Sequence, residues 1–96
     1  MDIGKAIKTL RLKRGYSQKQ LASLVEKSET TISLIESGKS IPQTKRIKEI
    51  SSALGVEPVY LLLFALEKED IPSNKRVLFD TLLVPLRESL TDKEDA

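Results

Sequence analysis

The chain contains no cysteine, no histidine and no tryptophan. Without cysteine there is no disulfide framework, and without cysteine and histidine the usual zinc sites are excluded. Serine–histidine and cysteine–histidine nucleophiles are excluded for the same reason. The four glycines stand apart along the chain, so it has no glycine-rich phosphate loop. We therefore expect a protein that is not an enzyme and that needs neither a cofactor nor a metal.

Long apolar runs are also missing. The longest covers residues 59–66, eight residues, whereas a membrane-spanning helix needs about 20. The first residues lack the basic stretch and the following apolar stretch that a signal peptide requires. We expect a cytoplasmic protein that makes no contact with a membrane.

Charge is distributed unevenly between the two halves of the chain. Residues 1–48 hold eleven Lys and Arg and four acidic residues, a net charge of +7. Residues 49–96 hold five bases and ten acids, a net charge of −5. Such asymmetry indicates contact with a polyanion, or else a solvated surface of uneven charge. The length of 96 residues and the 40% of hydrophobic residues fit one small globular domain.

Apolar residues recur at helical spacing along the whole chain, and no run alternates as a strand would. The clearest local signal is the stretch 16–21, where Ser17 and Gln20 form a capping box. The pattern predicts five helices. Their boundaries are Asp2 and Gly15 for the first, Ser17 for the start of the second, Ser28 and Gly38 for the third, Gly55 for the end of the fourth, and Pro58 for the start of the fifth.

The second and third predicted helices have the features of a helix-turn-helix pair. Both are short, Ala22 is small enough for a helix crossing, and Ile32 and Ile35 are apolar anchors. With these features, residues 3–62 resemble the helix-turn-helix domain of phage repressor and Cro proteins, the xenobiotic-response-element (XRE) class of bacterial regulators. The resemblance rests on Ile7, Arg11, Ser17-Gln18-x-x-Leu21-Ala22, Thr31-Ile32-Ser33-x-Ile35-Glu36-x-Gly38-Lys39, Pro42 and Ala53-Leu54-Gly55-Val56.

The resemblance implies an all-α fold, a five-helix lambda-repressor-like DNA-binding domain over residues 1–66, in a bacterial or phage protein. Its third helix would enter the major groove of double-stranded DNA. The family's base-reading positions fall on Ser28, Glu29, Thr30, Ser33 and Leu34, and its phosphate-contacting positions on Ser17, Gln18, Ser37 and Lys39. Arg11 and Glu36 match a structural ion pair between the first helix and the end of the third.

Several of these roles have a second interpretation. Ser17 and Gln18 are explained sufficiently as helix caps. Glu29 either complements the dipole at a helix start or accepts a hydrogen bond from a cytosine amino group. Leu34 either contacts a thymine methyl group or packs against another protein. Glu26 departs from the family, which often has Gly or Asn there, and we expect a positive φ at this turn.

Residues 67–96 are predicted to hold a linker, an extra C-terminal helical segment and a frayed acidic tail. Pro85 should kink or break this segment near Val84. The segment either packs on its own domain as a sixth helix or, with the fifth helix, forms a dimerisation element. The candidate dimerisation residues, which share one side of the helix, are Phe79, Leu82, Leu83, Leu86 and Leu90.

The main hypothesis is a sequence-specific DNA-binding transcriptional regulator, a repressor, that acts as a homodimer on a palindromic operator without a cofactor. Two alternatives use the same fold. One is the antitoxin of a toxin–antitoxin pair, in which the C-terminal segment covers the toxin. The other is a protein-interaction module that has lost DNA binding. A separate small-molecule sensor has little room in 96 residues.

Overall fold

The computed structural model describes residues 1–88, and every regular element within that range is helical. Two short 3-10 turns, Lys68–Asp70 and Ser73–Lys75, lead into a helical stretch over residues 76–88, named here the C-terminal segment. The all-α prediction with an added C-terminal segment is confirmed. The five preceding helices are α1 (Ile3–Lys13), α2 (Gln18–Leu24), α3 (Glu29–Glu36), α4 (Thr44–Ala53) and α5 (Pro58–Ala65).

The helices begin where the caps predict. Asp2 caps α1, Ser28 caps α3, and Ser17 forms a reciprocal capping box with Gln20 at the start of α2. Pro58 occupies the first turn of α5, where its missing N–H costs nothing. Each side-chain cap supplies an acceptor for a backbone N–H that has no partner inside the helix. Local hydrogen bonding therefore fixes these boundaries.

The turn between α2 and α3 has a left-handed residue at Glu26, with a φ of 57°. The expected positive φ is thus confirmed. Beside it the N–H of Lys27 donates to the carbonyl of Ala22 at 2.9 Å, and the N–H of Glu26 donates to the carbonyl of Ser23 at 3.2 Å. These two bonds are those of a Schellman motif, and they offset the cost, about 1–2 kcal/mol, of a left-handed non-glycine residue.

The core lies between the apolar faces of all five helices. α1 packs against α3 and α5, α2 packs against α3, and α4 packs against α5. Because α3 turns its isoleucines to this core, its opposite face is left in solvent. The large apolar side chains with almost no exposed surface are Ile7, Leu10, Leu21, Ile32, Ile50, Leu54 and Leu61. No helix within residues 1–88 has the length and apolar composition to cross a membrane.

α1 approaches the end of α3 closely at Gly4. A Cβ atom at this position would clash with the carbonyl oxygen of Ile35 and would lie 2.8 Å from the carbonyl oxygen of Glu36. Both neighbours are backbone atoms, which cannot move aside as a flexible side chain would. This contact could not be predicted from the sequence, because no neighbouring residue distinguishes Gly4.

The C-terminal segment packs against its own domain. Phe79 is buried, and Arg87 Nη1 donates to the carbonyl of Leu66 at 2.8 Å, just past the end of α5. The Arg87 guanidinium also lies over the Phe79 ring, 5.7 Å from its centre. The segment therefore has a fixed inner face that joins it to the end of α5.

The helix does not break at Val84. Instead, residues Phe79–Leu83 form a wider π-type turn, and residues 84–88 remain helical. Pro85 lacks an N–H and conflicts with the carbonyl four residues before it. A wider turn directly before Pro85 relieves that conflict, so the helical backbone continues through Val84.

The candidate dimerisation residues do not share one environment. Phe79 is buried within the molecule and Leu83 is partly buried, whereas Leu82 and Leu86 are 59% and 50% exposed. Leu90 lies outside the described residues. The face predicted as single is thus divided, because the segment contacts its domain through one row of side chains and leaves the neighbouring row in solvent.

Replacing Gly4 by Ala is expected to lower the free energy of unfolding by about 1–3 kcal/mol, because α1 must shift away from α3. Urea unfolding followed by circular dichroism measures this change. Lys8→Ala, on the exposed side of the same helix, is the control and should stay within about 0.5 kcal/mol of the parent. A Gly4→Ala protein as stable as the parent would contradict the close contact.

Candidate nucleic-acid interface

One exposed face of α3 gathers the predicted base-reading residues. Ile32 and Ile35 are buried and hold the helix on the core. The side chains of Glu29, Thr30 and Ser33 are consequently exposed, together with Leu34, and Ser28 directly precedes them at the cap. The structure thus brings all five predicted residues to the N-terminal and outer parts of one helix.

The hydroxyl groups near this face differ in what they can still bind. Ser28 Oγ accepts a hydrogen bond from the N–H of Thr31 at 3.1 Å and lies 2.9 Å from the Thr31 hydroxyl. Ser37 Oγ donates to the carbonyl of Leu34 at 3.0 Å. Glu29, Thr30 and Ser33 make no side-chain hydrogen bond within residues 1–88 and remain available for a ligand. Among the predicted base-reading residues, these three offer the freest polar groups.

Arg11 and Glu36 form a nearly buried ion pair beneath this face. Arg11 Nε and Nη2 donate to the two carboxylate oxygens of Glu36 at 2.7 and 3.0 Å, and Nη1 donates to the carbonyl of Tyr16 at 2.8 Å. The hydrogen bonds to the Glu36 carboxylate raise the pKa of Arg11 above its ordinary value. Three hydrogen bonds and the adjacent carboxylate offset the cost of burying the charged guanidinium.

Gln18 extends this network to the start of α2. Its Nε2 donates to Glu36 Oε1 at 3.1 Å, and the side chain is half-buried. The Glu36 carboxylate therefore holds α1, the start of α2 and the end of α3 together. One amide hydrogen of Gln18 is used in this bond, and the second remains for another acceptor. Ser17, next to it, is exposed and accepts a hydrogen bond from the N–H of Gln20 at 3.0 Å.

Basic residues flank α3 on its C-terminal side. Ser37 and Lys39 are exposed after the helix, as the phosphate assignment requires. A groove of about 250 Å³ lies between α3 and the start of α4, and Lys27, Lys45 and Arg46 line it, with Glu49 as its acidic residue. No motif in the sequence assigns a role to the three bases, and only the net charge of residues 1–48 includes them. Residues 1–88 hold no acidic cluster fit for a metal.

A family model described as helix-turn-helix matches residues 7–61, more than half of the chain. The matched range runs from within α1 to within α5 and contains the whole Arg11–Glu36 network and the exposed face of α3. The C-terminal segment lies beyond it. No curated protein and no solved structure matches the chain.

Replacing Glu36 by Ala is expected to lower the free energy of unfolding by about 3–5 kcal/mol, because Arg11 would remain charged and buried without its counter-ion. Thermal and urea unfolding of the full chain measure the loss. Asp80→Ala is the matched control, since it removes the Lys68–Asp80 pair, which is 3.1 Å long with side chains 50% and 53% exposed. That change should cost less than about 1 kcal/mol. Equal losses in both variants would contradict a special role for the buried pair.

Proposed function

Because the chain belongs to the XRE family of helix-turn-helix proteins, and is thereby a DNA-binding regulator, we propose that it is a sequence-specific repressor. In this proposal it acts as a homodimer on a palindromic operator. The observation that carries the proposal is the exposed face of α3, where Glu29, Thr30 and Ser33 present polar groups that bond no side chain or backbone group within residues 1–88. An α-helix fits the major groove, where each base pair presents a distinct pattern of donors and acceptors.

The three free side chains differ in what they can read. Thr30 offers a hydroxyl group for a base edge and a methyl group for the thymine methyl. Glu29 can only accept a hydrogen bond, so its natural partner in the major groove is the amino group of cytosine. Ser28 has its hydroxyl committed to the helix cap, and we assign it a role in placing the start of α3 rather than in reading a base.

Phosphate contacts would come from both sides of α3. Ser17 and Gln18 lie at the start of α2, and Ser37 and Lys39 follow α3. To these the proposal adds the basic groove lined by Lys27, Lys45 and Arg46. Such contacts position the protein without reading sequence, and they make affinity fall steeply with salt.

A second copy would bind the second half-site of the operator and would cover exposed apolar surface. A palindromic site presents two half-sites about 34–36 Å apart, and a two-fold dimer places one recognition helix in each. α5 is composed almost wholly of apolar residues, yet Val59 is 66% exposed. A helix that is apolar on all sides is normally buried, which supports association of this helix or its neighbours with another copy.

The antitoxin alternative is favoured by the exposed leucines of the C-terminal segment, Leu82 and Leu86, which a toxin would cover. It predicts that a second small protein co-purifies with the chain when both genes are expressed from their native neighbourhood. The repressor proposal predicts that the purified chain alone binds its operator as a dimer.

The proposal is tested by selecting duplexes from a random pool with the purified chain and measuring the affinity of the selected duplex across salt concentrations. We expect an enriched palindrome with a steep salt dependence, because several Lys and Arg displace counter-ions. Absence of enrichment with weak, salt-sensitive binding would contradict sequence-specific repression. Absence of any salt-dependent binding would instead favour a protein-interaction module.

Glu29→Gln is expected to exchange cytosine for adenine at one position of each half-site, because a Gln amide pairs with adenine as a carboxylate pairs with the cytosine amino group. Thr30→Ala should relax preference at a different position, by about 1–3 kcal/mol. Repeating the selection with each variant measures both effects. If Glu29 serves only the helix dipole, Glu29→Gln will change affinity for all sequences alike and leave the preferred bases unchanged.

Lys39→Ala is expected to weaken binding to all duplexes by a similar factor and to reduce the salt slope by about 1, because one phosphate contact is lost. Titrations of the selected duplex and of a scrambled duplex at several salt concentrations measure both quantities. Lys75→Ala, in the turn before the C-terminal segment and outside residues 7–61, is the matched control and should leave the slope unchanged. A changed base preference in Lys39→Ala would contradict the phosphate assignment.

A further inference from the structure

The outer side of the C-terminal segment is an uncharged face, named here the leucine face. Its three leucines are spaced by four residues and are exposed to a similar extent. Leu78 is 53% exposed, Leu82 59% and Leu86 50%. The uncharged side chains Val77, Thr81 and Pro85 flank them and are also exposed. The face consists of Val77, Leu78, Thr81, Leu82, Pro85 and Leu86.

The charged side chains between residues 76 and 87 are all tied to the rest of the molecule. Arg76 Nε donates to the carbonyl of Ile71 at 3.4 Å, Asp80 pairs with Lys68 at 3.1 Å, and Arg87 bonds the end of α5. Buried Phe79 and the bond from Arg87 to the end of α5 fix the inner side of the segment, so the segment cannot rotate to hide its leucines without breaking these two contacts. The leucine face is therefore held outward.

We infer that the leucine face is the seam between two copies of this chain, packed antiparallel with the two-fold axis at Leu82. A two-fold interface must be complementary to itself. Three leucines at equal spacing meet that condition, because reversing the direction of the helix leaves the pattern unchanged. Leu82 would meet the partner's Leu82, and Leu78 would meet the partner's Leu86. This inference rests on the proposed homodimer and adds its seam and axis.

Charge favours a second copy over a different protein. Residues 49–96 carry a net charge of −5, so two copies that met through the acidic parts of this half would bring like charges together. The leucine face carries no charge and meets its own copy without that cost. A basic partner would find no carboxylate on this face to pair with, and interface centres are generally depleted of charge.

The seam is short, since the three leucines span roughly 12 Å along the helix. It falls below the standard size of stable interfaces on its own, so we expect dimerisation that depends on protein concentration in solution. A palindromic duplex holds two copies side by side and raises their effective concentration. The dimer should therefore be much more populated on operator DNA than free.

Single cysteines test the axis directly, because the full chain has no cysteine of its own. Leu82→Cys should form an intermolecular disulfide under mild oxidation, since it would lie opposite its own copy within the Cα distance of about 7 Å that a disulfide allows. Leu78→Cys and Leu86→Cys should each remain largely unlinked alone and should link to one another when mixed. Non-reducing electrophoresis, with and without the selected duplex, measures the yield.

Leu86→Glu tests the surface independently of cysteine. It should raise the dimer dissociation constant measured by sedimentation equilibrium at least tenfold, whereas Leu12→Glu, at an exposed leucine of α1, should not change it. Circular dichroism confirms that both variants fold. A chain that stays monomeric even on its operator would overturn the homodimer of the proposed function.

A dimer that survives Leu86→Glu, with no link through Leu82→Cys, would overturn only the seam and leave the proposed function standing. A link between Leu82→Cys and Leu86→Cys in place of the Leu82 self-link would overturn the axis. A different protein bound at the leucine face, lost with Leu86→Glu, would also overturn the inference.

Discussion

The buried contact between Arg11 and Glu36 is the constraint on which the position of α3 depends. The Glu36 carboxylate accepts from Arg11 and Gln18, while the backbone at the same end of α3 rests against Gly4. The end of the helix is thus fixed twice, once by charge and once by close packing. Recognition of a base edge requires positioning to a fraction of an ångström. A helix of eight residues has too little surface of its own to supply that precision.

Burial and capping leave few side chains for DNA. The isoleucines of α3 are committed to the core, and the hydroxyls of Ser28 and Ser37 are committed to its ends. In the proposed complex, specificity falls to Glu29, Thr30 and Ser33, with Leu34 as an apolar neighbour. The Glu29 carboxylate would be repelled by nearby phosphates, and the helix dipole at the start of α3 reduces this repulsion. In the proposed complex this repulsion would make Glu29 selective, because only a base that offers a hydrogen-bond donor offsets it.

Sequence reasoning succeeded where the determining contact is local. The caps at Asp2, Ser17 and Ser28 and the positive φ at Glu26 depend on residues within a few positions of one another. It failed where the contact is between distant elements, as with Gly4 against the end of α3. The five C-terminal apolar residues share one helical face in the sequence pattern. Two contacts in the folded chain divide this face into a row that faces the domain and a row that faces solvent. They are the burial of Phe79 and the bond from Arg87 to Leu66, 21 residues away. The roles of individual residues on DNA came from the family resemblance and stay predictions.

The surface around α3 and the outer surface of the C-terminal segment differ in whether their charged side chains are exposed or bonded to other residues. In the first half Lys27, Lys39 and Lys45 are exposed beside α3, and that surface suits a polyanion. In the C-terminal segment the charged side chains of residues 76–87 are bonded to residues 66–71, and that leaves a surface suited to an apolar partner. A dimer on a palindrome needs its two α3 helices about 34–36 Å apart, so its seam must lie on an element other than α3. The C-terminal segment meets this condition, since it joins the domain at the end of α5 and leaves the exposed face of α3 uncovered.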